Sequence, residues 1–276
     1  RRILALGDGV AFGEGVDRDT TFILDAVNAL GGTRVGVETL LFATPGYSIL
    51  QQRNLMDLRG WNLSPDMLII NGPGEEMSVK PYVDKEVIAE VNSMDPSRAQ
   101  LEGFAFYRIL NHHLHIIDGP TSIKRNRVFK GKQNMNPTGR PRVSVNDYAK
   151  NLDAITAKAI GLGVEVVFVM YPLPEDIHDS HLTNRVGTYR MAMLDVAKRH
   201  GIPVVDGPAV FKNSGRSKER LFMQGRLLST YGHRTLGYAL AKKLRKWMRG
   251  RSILMQGTGS DLPIYDEPEL TPIENQ

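Results

Sequence analysis

The chain has 276 residues, of which 41% are hydrophobic and 24% charged, enough for one large α/β domain with insertions and a sizeable core. It contains no cysteine, which excludes disulfides, thiolate metal sites and a cysteine nucleophile, and no stretch approaches the roughly 18 apolar residues of a membrane span. A net charge of +5 gives only a modest pull toward anionic partners, because basic residues also serve as solvated surface.

Short apolar runs alternate with longer amphipathic stretches. "RILAL" (2–6) predicts a first strand feeding a glycine-rich loop over 7–20, and "TFILDAVNAL" (21–30) the helix after it. A strand over 35–43 precedes a helix over 48–58. "DMLIIN" (66–71) predicts a third strand, and its unbroken apolar run suits burial on both faces of a parallel sheet. A helix over 145–163, stopped by Gly161 or Gly163, is followed by a strand over 164–171, a helix over 185–201 and a strand over 202–206. The closing helix spans 229–248, with Ser229 as N-cap and Lys242, Lys243, Arg245 and Lys246 near its end, where cations favour the helix dipole. This βαβα order predicts a three-layer α/β/α sandwich on a mostly parallel five-stranded sheet, with ligand sites beyond the carboxyl ends of the strands.

Two segments break the alternation. Residues 79–144 form an insertion within a domain of residues 1–249, and its loop 124–142 carries seven basic residues and no acidic one. Residues 250–276 form a tail with Asp261, Asp266, Glu267, Glu269 and Glu274 and, from 257 onward, no basic residue. Its composition cannot bury enough apolar surface to order itself, so an ordered tail implies a surface that holds it. Lys124, Arg125, Arg127, Lys130 and Lys132 on the loop, with Asp261, Asp266, Glu267 and Glu269 on the tail, are candidate partner contacts. Phe129 alone supplies no stacking ladder, so no nucleic acid is expected.

"ILALGDGVAFGEGV" (3–16) resembles the first signature of the SGNH (GDSL-type) hydrolases, Gly-Asp-Ser followed by a glycine-rich loop. "TPGYSILQQ" (44–52) resembles the second block, "DMLIINGPGEE" (66–76) the third, whose motif is Gly-x-Asn-Asp, and "LFMQGRLLSTYGHRTLGYALAKKL" (221–244) the last, with its Asp-x-x-His. The resemblance implies a flavodoxin-like topology, and weakly an extracytoplasmic location, with any signal or anchor upstream of Arg1.

Carried over residue by residue, the family's reactive groups are missing. The nucleophilic serine falls on Gly9, the oxyanion-hole asparagine on Gly74, the triad aspartate on Gln224 and the triad histidine on Leu227. Gly7, Asp8, Gly13, Gly15, Gly46, Ser229, Gly232 and His233 fit the flanking pattern. Acyl transfer by this design needs a hydroxyl, an imidazole to take its proton and a carboxylate to orient the imidazole. Deleting one triad member costs about 10⁴–10⁶ in rate. Only backbone donors at Gly9 and Gly46, in a vestigial oxyanion hole with Gly74, would remain.

Asp8, Glu14, Glu75 and Glu76 could crowd the loop end as an acid–base cluster; against that, Asp8 braces the loop and the glutamates face water. His178 and His181, or His112 and His115, could ligate a metal, but their spacing is poorly specific. "GEG" and "GPG" lack the context of a phosphate-binding loop, and no cofactor is expected. The sequence therefore predicts a non-catalytic SGNH-like protein serving as a structural or binding subunit of an assembly. The alternatives are a module that binds an acylated glycan or lipid in a cleft between Gly9, Gly46, Gly74 and Leu227, and an esterase or acyltransferase with relocated groups.

Overall fold

A computed structural model describes residues 1–31, 36–92, 136, 138–177, 185–223 and 225–251. Five strands form one sheet: β1 (Arg2–Gly7), β2 (Glu38–Ala43), β3 (Met67–Gly72), β4 (Glu165–Met170) and β5 (Val204–Asp206). Every pairing is parallel and the order is β2-β1-β3-β4-β5. In such a sheet, crossovers place helices on the faces, so the central strands must be apolar on both sides. β3 is buried at all six positions, as its unbroken apolar run predicts. Ile3 of β1 lies opposite Met67 of β3, and Met67 opposite Glu165 of β4, so β3 and β4 end together at Gly72 and Met170, and β1 ends at Gly7 one residue short of them.

The helices are α1 (Gly9–Phe12), α2 (Phe22–Ala29), α3 (Ile49–Leu55), α4 (Asp84–Asn92), α5 (Val145–Gly161), α6 (Arg185–His200), α7 (Gly207–Asn213), α8 (Lys218–Leu221) and α9 (Thr230–Arg251). α2 packs on α9, and α5 packs on α3 and α6. Ser229 caps α9: its Oγ accepts the N–H of Gly232 at 3.0 Å. Gly232 must lack a side chain, since a Cβ there would stand 2.1 Å from the carbonyl oxygen of Leu221.

Two expectations need correction. The glycine-rich stretch 7–20 is not all loop: Gly9 opens the short α1, because Asp8 supplies its N-cap. The helix expected over 48–58 ends at Leu55 and continues as a π-helical turn, Met56–Gly60. No helix among the described residues is long and apolar enough to cross a membrane.

Two buried polar ties fix the loops at the carboxyl end of the sheet. Arg190 of α6 is fully buried and donates to both carboxylate oxygens of Asp176, at 2.7 and 2.6 Å, and to the carbonyl of Tyr171 at 2.7 Å. Asp176 also accepts the N–H of Leu173 at 2.6 Å, so the chain leaving β4 is held from both sides. His233 of α9 accepts the N–H of Phe22 on Nδ1 at 3.2 Å, and its ring stacks on Phe22. Burial pushes its pKa down to about 4, so the ring is neutral and its Nε2–H finds no partner among the described residues. This histidine is a brace between α9 and α2.

Candidate functional site

β1 delivers Gly7, Asp8 and Gly9 to the mouth of the sheet. Asp8 Oδ1 accepts the N–H of Val10 at 3.2 Å, the bracing role read from its position. The N–H of Glu14 donates to the carbonyl of Gly9 at 2.8 Å, which folds the chain back so that Glu14 returns over Gly9. A Cβ on Gly9 would meet Glu14 Oε2 at 2.3 Å. The place where a serine side chain would begin is therefore taken by a carboxylate from five residues along.

The third block repeats this substitution. A Cβ on Gly74 would stand 1.8 Å from Asp8 Oδ2, so the aspartate lies where the side chain of an asparagine would start. Beside it, Glu76 is buried, against the expectation that the glutamates face water. Its Oε2 accepts the N–H of Gly74 at 2.7 Å and its Oε1 that of Ile49 at 2.8 Å. It thereby joins the third block to the first turn of α3. Glu14 is exposed and Glu75 partly so. Burial, then the charges of Glu76 and Glu75, push the Asp8 carboxyl up to about 7. Burial also raises Glu76, offset in part by its backbone donors and by Arg142.

Gly46 has a φ of 77°, in the left-handed region, with open space where a side chain would be. Its carbonyl accepts from Arg142 Nη1 at 2.7 Å. Arg142 belongs by composition to the basic loop 124–142, and the structure buries it to 3% exposure. Its Nε donates to Asp84 Oδ1 at 3.0 Å and its Nη2 to Gln51 Oε1 at 2.8 Å. Ser48 adds a 2.5 Å bond to Asp84 Oδ2. This network clamps the two ends of the insertion onto the second block.

In the last block, Leu227 is half-buried and packs against the core, with Met223 beside it over Gly15. The Tyr171 hydroxyl donates to the carbonyl of Arg226 and ties this block to the end of β4. An open cleft of about 470 Å³ lies beyond β3 and β4, lined by Gly74, Glu75, Met77, Ser78, Leu173, Glu175, Val186 and Arg226. It shares only Gly74 with the cleft expected between Gly9, Gly46, Gly74 and Leu227, and sits to the β4 side of it.

The histidines among the described residues are His200, paired with Asp153 at 2.9 Å on the helix surface, and His233. Neither meets a serine or threonine hydroxyl in the described bonds. Among the described residues no group of three His, Asp or Glu could hold a metal ion. Gln224, His112, His115, His178, His181, Lys124, Arg125, Arg127, Lys130, Lys132 and the tail acids Asp261, Asp266, Glu267 and Glu269 lie outside the described residues.

Sequence reasoning missed the buried Glu76 and the Arg142–Asp84–Ser48 clamp. The only signal for the clamp was that the arginine and aspartate bracket the insertion.

No protein-family model matches this chain, and no curated protein does. Solved structures share its fold at low identity. Axe2, an acetylxylan esterase from Geobacillus stearothermophilus, is 14% identical with a TM-score of 0.54, the match covering 88% of this chain and 93% of that one. TesA is 11% identical with a TM-score of 0.53, covering 89% and 99%. A lipolytic G-D-S-L family protein from Desulfitobacterium hafniense is 13% identical with a TM-score of 0.51, covering 88% and 99%.

Proposed function

We infer that this chain, which has the fold of the SGNH (GDSL-type) hydrolases, is a non-catalytic relative retained as a structural or binding subunit of a larger assembly. The observation that carries the reading is the carboxylate of Glu14 lying 2.3 Å from where a side chain on Gly9 would begin. Gly9 offers no hydroxyl, the end of the exposed Glu14 side chain lies over it, and neither described histidine meets a serine or threonine hydroxyl. The basic loop, with Lys124, Arg125, Arg127, Lys130 and Lys132, and the acidic tail, with Asp261, Asp266, Glu267 and Glu269, supply the partner contacts in this reading. A rigid α/β body tolerates loss of a triad because the triad sits on loops while stability resides in the buried sheet.

One observation favours a second reading, an esterase with relocated groups: Asp8 titrates near neutrality at the mouth, where a general base would be useful. Assay of the purified protein on 4-nitrophenyl acetate and on acetylated xylo-oligosaccharides separates the two. No turnover above a heat-inactivated control is expected. Turnover that Asp8→Asn abolishes would overturn the non-catalytic reading and establish the second.

A further inference from the structure

Charge is spread unevenly along this chain. Residues 207–251, which form α7, α8 and α9, carry twelve lysines and arginines against one acid, Glu219. α9 holds no Asp or Glu in its 22 residues. The segment after it holds Asp261, Asp266, Glu267, Glu269 and Glu274 and no basic residue.

The fold gathers these cations on one side, because α7 and α8 both pack on α9. Lys212, Arg216, Lys218 and Arg226 are exposed, and none of them forms an ion pair among the described residues. Tyr231, Arg234, Tyr238 and Lys242 recur at helical spacing and share the face of α9 opposite its buried Leu236, Leu240 and Leu244. Arg220 of α8 extends this stripe, its guanidinium 4.5 Å from the centre of the Tyr231 ring. Arg234 is balanced in part by Asp25 of α2, whereas Lys242 has no carboxylate partner among the described residues. Between those two cations the Tyr238 ring is 47% exposed. The other basic stretch, 124–142, has less to offer an acid, since its Arg140 is already paired with Glu86 and its Arg142 with Asp84.

We propose that the acidic segment 261–274 of the same chain docks along this face, its carboxylates meeting Lys242, Arg234 and the cations of α7 and α8. Ile264, Tyr265 and Leu270, interspersed among the acids, are the apolar groups offered to Tyr238. The inference goes beyond the assembly reading by naming a surface for the tail, and it holds whether or not the mouth is catalytic. Reach permits it. Ten residues lead from Arg251 to Asp261 and span at most about 36 Å, and α9 is about 33 Å long. Gly257 and Gly259 in that stretch accept the backbone angles that a reversal of direction needs. Each exposed ion pair contributes little alone, but a tethered segment acts at millimolar effective concentration, which any free polyanion has to outcompete.

The absence of cysteine makes a distance measurement clean. Thr230→Cys, at the exposed start of α9, and Thr271→Cys, in the tail, carry nitroxide labels on the full chain for pulsed electron paramagnetic resonance. A tail free as a coil would place the labels about 40 Å apart with a broad distribution. A docked tail is expected to give a narrow distribution at about 20 Å or less in low salt. The distribution should broaden to the coil value in 1 M salt, where the Debye length is about 3 Å. It should do the same when Asp261→Asn, Asp266→Asn, Glu267→Gln, Glu269→Gln and Glu274→Gln are combined. Lys218→Gln with Lys242→Gln should broaden it in part, while leaving the tail itself unchanged. A coil-like distance in low salt overturns the proposal and leaves the face to another polyanion. A short distance that survives neutralisation of the five acids overturns it too. A short distance lost on dilution with unlabelled chain seats the tail on a second copy, and overturns docking within one chain.

Discussion

Replacing Asp8 by asparagine should change the pH dependence of stability in a way set by its burial. The carboxyl titrates at 3.8 when unperturbed and at about 7 in the folded chain. Below 3.8 both states hold the proton and the folded state bears no penalty. Between 3.8 and 7 the unfolded chain gives up its proton while the folded one keeps it, so stability falls as pH rises, by about 1.4 kcal/mol per unit. Above 7 the loss levels off, at about 4 kcal/mol in all, undiscounted because the side chain is only 9% exposed. Asparagine keeps an oxygen for the Val10 N–H and carries no charge at any pH. Urea unfolding followed by far-ultraviolet circular dichroism should therefore show Asp8→Asn close to the parent at pH 4 and up to about 4 kcal/mol more stable at pH 8. His233 runs the other way. Its folded pKa of about 4 against 6.5 unfolded makes stability rise through that window. The parent profile between pH 4 and 6.5 should thus be nearly flat, and the variant should uncover the histidine's upward slope. A stability difference equal at pH 5 and pH 8 would refute the reasoning.

The filled glycine positions should respond differently to a methyl group. At Gly9 the obstacle is the far end of an exposed glutamate that can swing into water, so Gly9→Ala should cost under about 1 kcal/mol. At Gly74 the obstacle is the buried Asp8, which also caps α1, and Gly74→Ala should cost about 2–3 kcal/mol. Thermal unfolding ranks the two variants, and equal losses would contradict the assignment. Arg142→Met strands Asp84 in the interior and should cost about 3–5 kcal/mol, while Arg142→Met with Asp84→Leu should recover part of that loss; denaturant midpoints of the two variants decide it.

The elements that could be read from the chain were those whose burial imposes a period. β3 had to be apolar throughout because helices cover both faces, and "DMLIIN" says so directly. α5 and α9 carry helical periodicity, α9 with a recognisable cap at Ser229. α1 escaped notice because it is four residues long and made of the glycine-rich run that reads as loop; only the cap on Asp8 turns it helical. Burial of Glu76 was invisible for a related reason. Its partners are backbone N–H groups at Gly74 and Ile49, and a backbone donor leaves no trace in side-chain pattern. Arg142 was hidden by composition, one basic residue among seven, though its carboxylate partner lies 58 positions earlier. That Gly9 carries no hydroxyl is plain from the sequence, whereas the carboxylate over it depends on a turn that returns Glu14 over its neighbour.

That filling bears on chemistry as much as the missing hydroxyl does. An acyl-transfer site must stabilise negative charge growing on a carbonyl oxygen, and does so with donors in a place of low dielectric. Here the positions flanking that place hold Glu14 against Gly9 and Asp8 against Gly74, with Glu75 and Glu76 beside them. A carboxylate about 4 Å from a developing oxyanion opposes it by about 4 kcal/mol at an effective dielectric of 20, or about a thousandfold in rate. In the non-catalytic reading, a Gly9→Ser variant should therefore show no ester turnover while these acids remain.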